Sequence, residues 1–205
     1  MDIEIKNSIL KNFKDRNIEV SIFDNIREAK ERILESIPED ASVGIGHSAT
    51  LEAMKLTALL CDRGNLVYDK TLAGSPAESK ELKKQALLAD WYVSGANAIS
   101  MEGHIVNMDH SGNRVAALSY GPEHVIVVAG VNKLTSNLQE AIYRVQNIAS
   151  PKNAARAGYN PPCIQLGACI DCDSEQRVCH NLSIIQGQYQ KDRMKLFIIN
   201  EELGF

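Results

Sequence analysis

Apolar and polar positions along the 205-residue chain follow two rhythms, one helical and one of period two. Ile3, Ile5, Ile9, Leu10 and Phe13 predict a helix over residues 3 to 15, and Ile18 to Phe23 alternates as a strand does. Asp24 or Asn25 can cap the next helix. Ile26, Ala29, Ile33, Leu34 and Ile37 form its apolar stripe, and Pro38 closes it. A short strand then runs into Gly44-Ile-Gly46, and a helical run follows from Leu51 to Leu60. Asn65 to Tyr68 reads as a strand, Ser75-Pro76 as a helix start, and Ala89 to Ser94 as another strand. His104–Met108 and Arg114–Leu118 flank Asp109-His-Ser-Gly-Asn113, which predicts a β-hairpin. Val125 to Ala129 is apolar throughout and suits a central parallel strand. A helix is expected from Leu138 toward Ala157, and a last strand from Met194 to Ile199.

Strands alternating with helices imply an α/β fold whose parallel-dominated sheet is covered on both faces. Ligands of such sheets bind at the carboxyl ends of the strands. Two loops lie there, after Ile45 and after Ser94. In the first, Gly44 and Gly46 allow close backbone approach, and Ser48 and Thr50 stand at a helix start. It is either an anion site or a tight strand-to-helix turn capped by Ser48. It lacks both the third glycine of a dinucleotide fingerprint and the Gly-Lys-Ser/Thr of a P-loop. His47 is a candidate acid/base group. In the second loop Gly95, Asn97 and Ser100 can approach and hydrogen-bond a ligand, and Glu102 is a candidate base. Arg114 and Lys133 are candidate anion contacts, with a solvated surface role as the alternative.

Composition narrows the partners. The net charge is −4 and there is no long basic run, which argues against nucleic acid. No apolar run approaches a membrane span, and the first residues lack the apolar core of a secretory signal. A cytoplasmic protein is therefore expected.

Four of the five cysteines fall in one stretch, Cys163, Cys169, Cys172 and Cys179, spaced C-x5-C-x2-C-x6-C. In a reducing compartment such a cluster favours metal ligation over structural disulfides. Thiolates suit zinc or an iron–sulfur cluster, and the spacing matches neither common ferredoxin pattern. Disulfides or free thiols stay open. His180 is a candidate for the surroundings of such a site. Cys61, in the helix after the glycine turn, reads as a small buried apolar residue.

Val43-Gly-Ile-Gly-His-Ser48, Gly95-Ala-Asn-Ala98, Gly103, Asn113-Arg114, Tyr120-Gly-Pro122 and Val131-Asn-Lys133 resemble, in order, the pattern of LUD (lactate utilization) domain proteins. The resemblance spans roughly residues 5 to 150, with the cysteine-rich tail as a branch feature. It implies a NagB/RpiA/CoA-transferase-like fold: a Rossmann-like sheet with a β-hairpin excursion. The expected division is an α/β domain over 1–155, a metal or cluster segment over 156–190, and a strand in 191–205 returning to the first domain. Asn97-Ala98 stands where ribose-phosphate isomerases carry an acidic pair, which counts against isomerase chemistry. Lactate-oxidation systems include iron–sulfur proteins, so the resemblance favours a [4Fe–4S] cluster over zinc. It implies an oxidoreductase subunit acting on a small anionic substrate, with other lactate-oxidation subunits or further copies of itself as partners. The alternative is a non-redox enzyme or binding module for a phosphosugar or CoA-like ligand, with a structural zinc.

Overall fold

The computed structural model describes residues Met1–Phe205. Its centre is a six-stranded, wholly parallel sheet in the order β1-β10-β7-β4-β2-β3. The strands are β1 (Ile18–Phe23), β2 (Ser42–Gly46), β3 (Leu66–Tyr68), β4 (Trp91–Gly95), β7 (His124–Gly130) and β10 (Met194–Ile199). A second sheet, ordered β8-β5-β6-β9, holds β5 (Ala98–Ser100), β6 (His104–Asp109), β8 (Leu134–Thr135) and β9 (Asn181–Ile185).

Side-chain alternation on β7 divides the core. Val125, Val127 and Ala129 join Ile9, Phe13, Tyr92, Leu196 and Ile198 on one face. Ile126 and Val128 join Ala29, Ile33, Val43, Ile45, Val93 and Phe197 on the other. Both faces of the sheet are therefore covered, which is why β7 carries no polar residue between Val125 and Ala129. The covering helices start where capping chemistry dictates. Asp2 accepts the Glu4 N–H at the head of α1 (Ile3–Lys14), and Asn25 accepts the Glu28 N–H at the head of α2 (Ile26–Ser36). Beyond β2 come α3 (Ala49–Met54) and α4 (Leu56–Arg63), joined through Lys55 at φ 54°. Helix α5 (Pro76–Gln85) precedes β4.

The predicted hairpin is displaced. Its first arm is β6, but its partner is β5, and the two join through the turn Met101–Gly103. Residues 113–119 form helix α6 (Asn113–Ser119). Gly112 at φ 82° turns the chain and Asp109 accepts the Arg114 N–H, so the segment coils instead of extending. A short apolar run such as Val115 to Leu118 is compatible with either period.

The long helix continues as expected, though not uniformly. Helix α7 (Leu138–Arg144) passes through a π turn, Val145–Ala149, into α8 (Ser150–Arg156). A short α9 (Pro162–Leu166) opens the cysteine segment. The chain then adds β9 to β6 and inserts β10 between β1 and β7. The strand within 191–205 is thus a central strand, and a sheet without it would split in two. Cys61 is exposed on α4, contrary to the buried position expected of it. Leu56 and Leu60 take the buried stripe of that helix.

Candidate functional site

A cavity of about 150 Å³ opens at the carboxyl ends of the parallel strands. Four strand-end loops contribute to it. His47 and Ser48 follow β2, Lys70 follows β3, Ala96 and Asn97 follow β4, and Lys133 follows β7. Lys83 of α5, Arg156 of α8, and Asp109, His110 and Arg114 around the start of α6 complete the wall. Asp109 is the one acid among these lining residues, against five Lys and Arg side chains.

The cations differ in what they can offer. Arg114 is nearly buried and its four Nη N–H groups are engaged. Nη1 donates to Gly95 O and to Asn107 Oδ1, and Nη2 to Asn97 Oδ1 and to Met108 O. It contributes positive charge and a brace, not free donors. Lys70 stands with its charge held below the ordinary lysine range by burial, Lys83 and Arg156. Repulsion among these cations would be relieved by a bound anion. Arg156 donates to Asn153 Oδ1 and to His47 Nε2, and it lies over the Phe205 ring.

His47 is kept below its usual range by burial first, and by Lys70 and Arg156 next. It is the neutral imidazole that accepts from Arg156, which occupies the nitrogen a general base would use. Glu52 lies 3.2 Å from the same nitrogen and 3.8 Å from Arg156, and balances that cation.

Among the residues expected from sequence, His47, Ser48, Gly95, Asn97, Arg114 and Lys133 meet in the cleft. Thr50 lies just behind it, accepting from Lys133 Nζ at 3.0 Å. Gly44 and Gly46 do not line the cavity. They let β2 pass close to its neighbours: a Cβ on Gly44 would meet Ala86 O and the Tyr92 ring at 2.7 Å, and one on Gly46 would meet Ser94 Oγ at 2.6 Å. Glu102 is outside the cleft. It accepts the Leu138 N–H at 3.0 Å at the head of α7, so the structure removes it as a base for a ligand bound here. Lys70, Lys83, Arg156 and His110 belong to the site and were not expected. Lys70 had a signal, since it follows a strand end.

The four clustered cysteines surround one small cavity beside the cleft, with Pro161, Ile170, Val178, Gln146, Ser150 and Arg177. No carboxylate or imidazole lines it. Asp173 and Glu175 are exposed, and Asp171 pairs with Arg177 at 2.8 Å. Arg177 also donates to Cys172 O and Cys179 O, and Asn147 accepts the Cys169 N–H, which fixes the loop. No three ligating side chains stand together as a closed metal set. Four soft donors around one largely apolar cavity nonetheless fit a thiolate-bound metal or cluster. One residue joins this cavity to the cleft, and a ring stack runs alongside. Val178 lines both, and the His180 ring stacks on His110, centroids 5.5 Å apart.

A LUD domain family model matches residues 7–199. Among solved structures, a DUF162 family protein from Deinococcus radiodurans aligns with a TM-score of 0.56 at 18% identity, over 96% of this chain and 97% of that one. At that identity the likeness speaks for the fold alone, a mixed α/β architecture with a mostly parallel Rossmann-like sheet. No curated protein matches the sequence. No helix is long and apolar enough to cross a membrane.

Proposed function

This chain belongs to the LUD domain family, and on that premise we propose that it is a lactate-utilization-type component that binds a small carboxylate in the cationic cleft for oxidation. The observation that carries this reading is the convergence of Lys70, Lys83 and Arg156 on one strand-end cavity with a single facing acid, Asp109. Lys70 and Arg156 attract the carboxylate. The Asn97 amide, its oxygen already accepting from Arg114 and from the Met108 N–H, turns its NH₂ to the ligand. The Ser48 hydroxyl, which accepts the Thr50 N–H, keeps its own proton to donate.

In this reading Cys163, Cys169, Cys172 and Cys179 hold a [4Fe–4S] cluster, which supplies one-electron transfer when bound. Partner subunits of a lactate-oxidation system would then exchange electrons with it. A second reading has its own support. Lys70, Lys83 and Arg156 around so small a cavity also suit a phosphate dianion, as on a phosphosugar or CoA-like ligand, with zinc at the cysteines.

Calorimetry with L-lactate, pyruvate and inorganic phosphate separates the two, run alongside iron, sulfide and zinc analysis of anaerobically purified protein. Carboxylate binding together with iron and acid-labile sulfide supports the first. Phosphate preference with one zinc and no visible absorbance supports the second. An absence of any anion binding overturns both.

A further inference from the structure

Lys133 is 3% exposed, yet it borders the cleft. Its Nζ donates to Thr50 Oγ1 at 3.0 Å, and Thr50 passes its own proton toward Leu203 O at 3.4 Å. The charged groups acting on it are two arginines, Arg144 and Arg114, the second of which is partly offset by Asp109 at 3.7 Å. Burial first, then those arginines, push its ammonium down to about 7. A lysine kept only to attract anions gains nothing from such a place, because burial removes the charge that does the attracting. A desolvated amine beside other cations is instead the environment that makes lysine a nucleophile near neutral pH.

We propose that Lys133 is a covalent site whose amine condenses with the carbonyl of a 2-oxo acid, the acid's carboxylate being held by the cations across the cleft. The inference rests on the anion-binding reading of the same cavity and narrows its ligand to an acid with an adjacent carbonyl. The Nζ lone pair forms the C–N bond as the carbonyl π pair moves to oxygen, which takes up a proton. The carbinolamine then loses water, and the nitrogen gives up its proton to leave C=N. Acid and amine become imine and water, so the step needs no oxidant or reductant. Asn97 and Ser48 border the same cavity and are placed to donate to the developing alkoxide. The arriving carboxylate partly restores the lysine's charge, so the rate follows the fraction of free protein already neutral.

The test uses the full chain with pyruvate as probe and cyanoborohydride as trap, followed by intact mass and peptide mapping across pH. The expected result is one covalent addition per chain, mapped to Lys133. Its rate should rise with pH and level off above a midpoint near 7, and excess inorganic phosphate should suppress it. Labelling should vanish in Lys133→Arg, while the unaltered chain should bind acetate by calorimetry. If the arginine variant does not fold, site mapping and phosphate protection in the unaltered chain decide the matter. Pyruvate binding seen by calorimetry with label spread evenly over other lysines overturns the covalent role and leaves the cleft reading standing. No binding of pyruvate, acetate or phosphate removes both.

Discussion

Arg114 Nη2 donates to Asn97 Oδ1 at 2.8 Å, and together with the Met108 N–H on the same oxygen it fixes which way the Asn97 amide faces the cleft. The same guanidinium ties the end of β4 to β6 through Gly95 O, Asn107 Oδ1 and Met108 O. Lysine at position 114 keeps the charge but cannot span four acceptors. Arg114→Lys should destabilise the fold by about 2–4 kcal/mol through acceptors left unpartnered. It should also weaken anion binding in protein that remains folded. Urea unfolding and calorimetry measure the two effects separately.

Removing the Lys133 amine should do the opposite to stability. Its folded pKa, about 7, lies below that of an unfolded lysine. The unfolded chain therefore binds more protons between the two values, and native stability rises as pH increases from about 7 toward 10.5. Lys133→Met should raise the melting temperature most at pH 6, where burial of the charge is costliest, by an amount worth a few kcal/mol. The gain should shrink steadily above neutrality. A melting-temperature difference that does not vary with pH would show that Lys133 carries no such burden.

Gly95 is held to glycine by contact. A Cβ there would lie 2.3 Å from Ser48 Oγ, the atom that caps α3. Gly95→Ala should displace Ser48 from the cap and cost roughly 1–3 kcal/mol. Double substitution with Ser48→Gly should restore part of the loss, as thermal unfolding of the single and double variants will show.

Cys61 is exposed on α4, while the other four thiols are partly covered around their shared cavity. With the cysteine cavity loaded, a chromogenic thiol reagent should modify one thiol per chain rapidly, and Cys61→Ser should abolish that phase. Chelation should then release the remaining four. Five equally fast thiols in freshly prepared, metal-containing protein would count against the site.

Much of the architecture was legible because burial writes itself into pattern. Val125 to Ala129 had to be covered on both faces, and the alternation of strands and helices around it required a parallel sheet. The strand-end rule likewise picked out His47, Ser48, Asn97 and Lys133. It could not pick out Lys83 or Arg156, because a basic residue on a polar helix reads as solvated surface until the helix is placed. Glu102 failed for the converse reason. It is close in sequence to the cleft loop, but the β5–β6 turn carries it to the head of α7, where a backbone N–H claims it. The strand Asn181–Ile185 went unread because its pairing with β6 is a tertiary fact, and five residues beside the cysteine segment are too short a run to stand out by pattern.

The place of β10 has a consequence for how the protein is made. On the ribosome β1 emerges first and β10 last of all the strands, yet β1 pairs with no other strand of the sheet. Until Met194–Ile199 appears, the growing chain holds two unpaired edges, on β1 and on β7, each open to mispairing with a neighbouring nascent chain. The cysteine segment is synthesised ahead of that closing strand, with β9 between them. If the proposed metal is captured there during translation, it would fold the connection that delivers β10 to its slot, and metal supply would then govern the yield of folded protein.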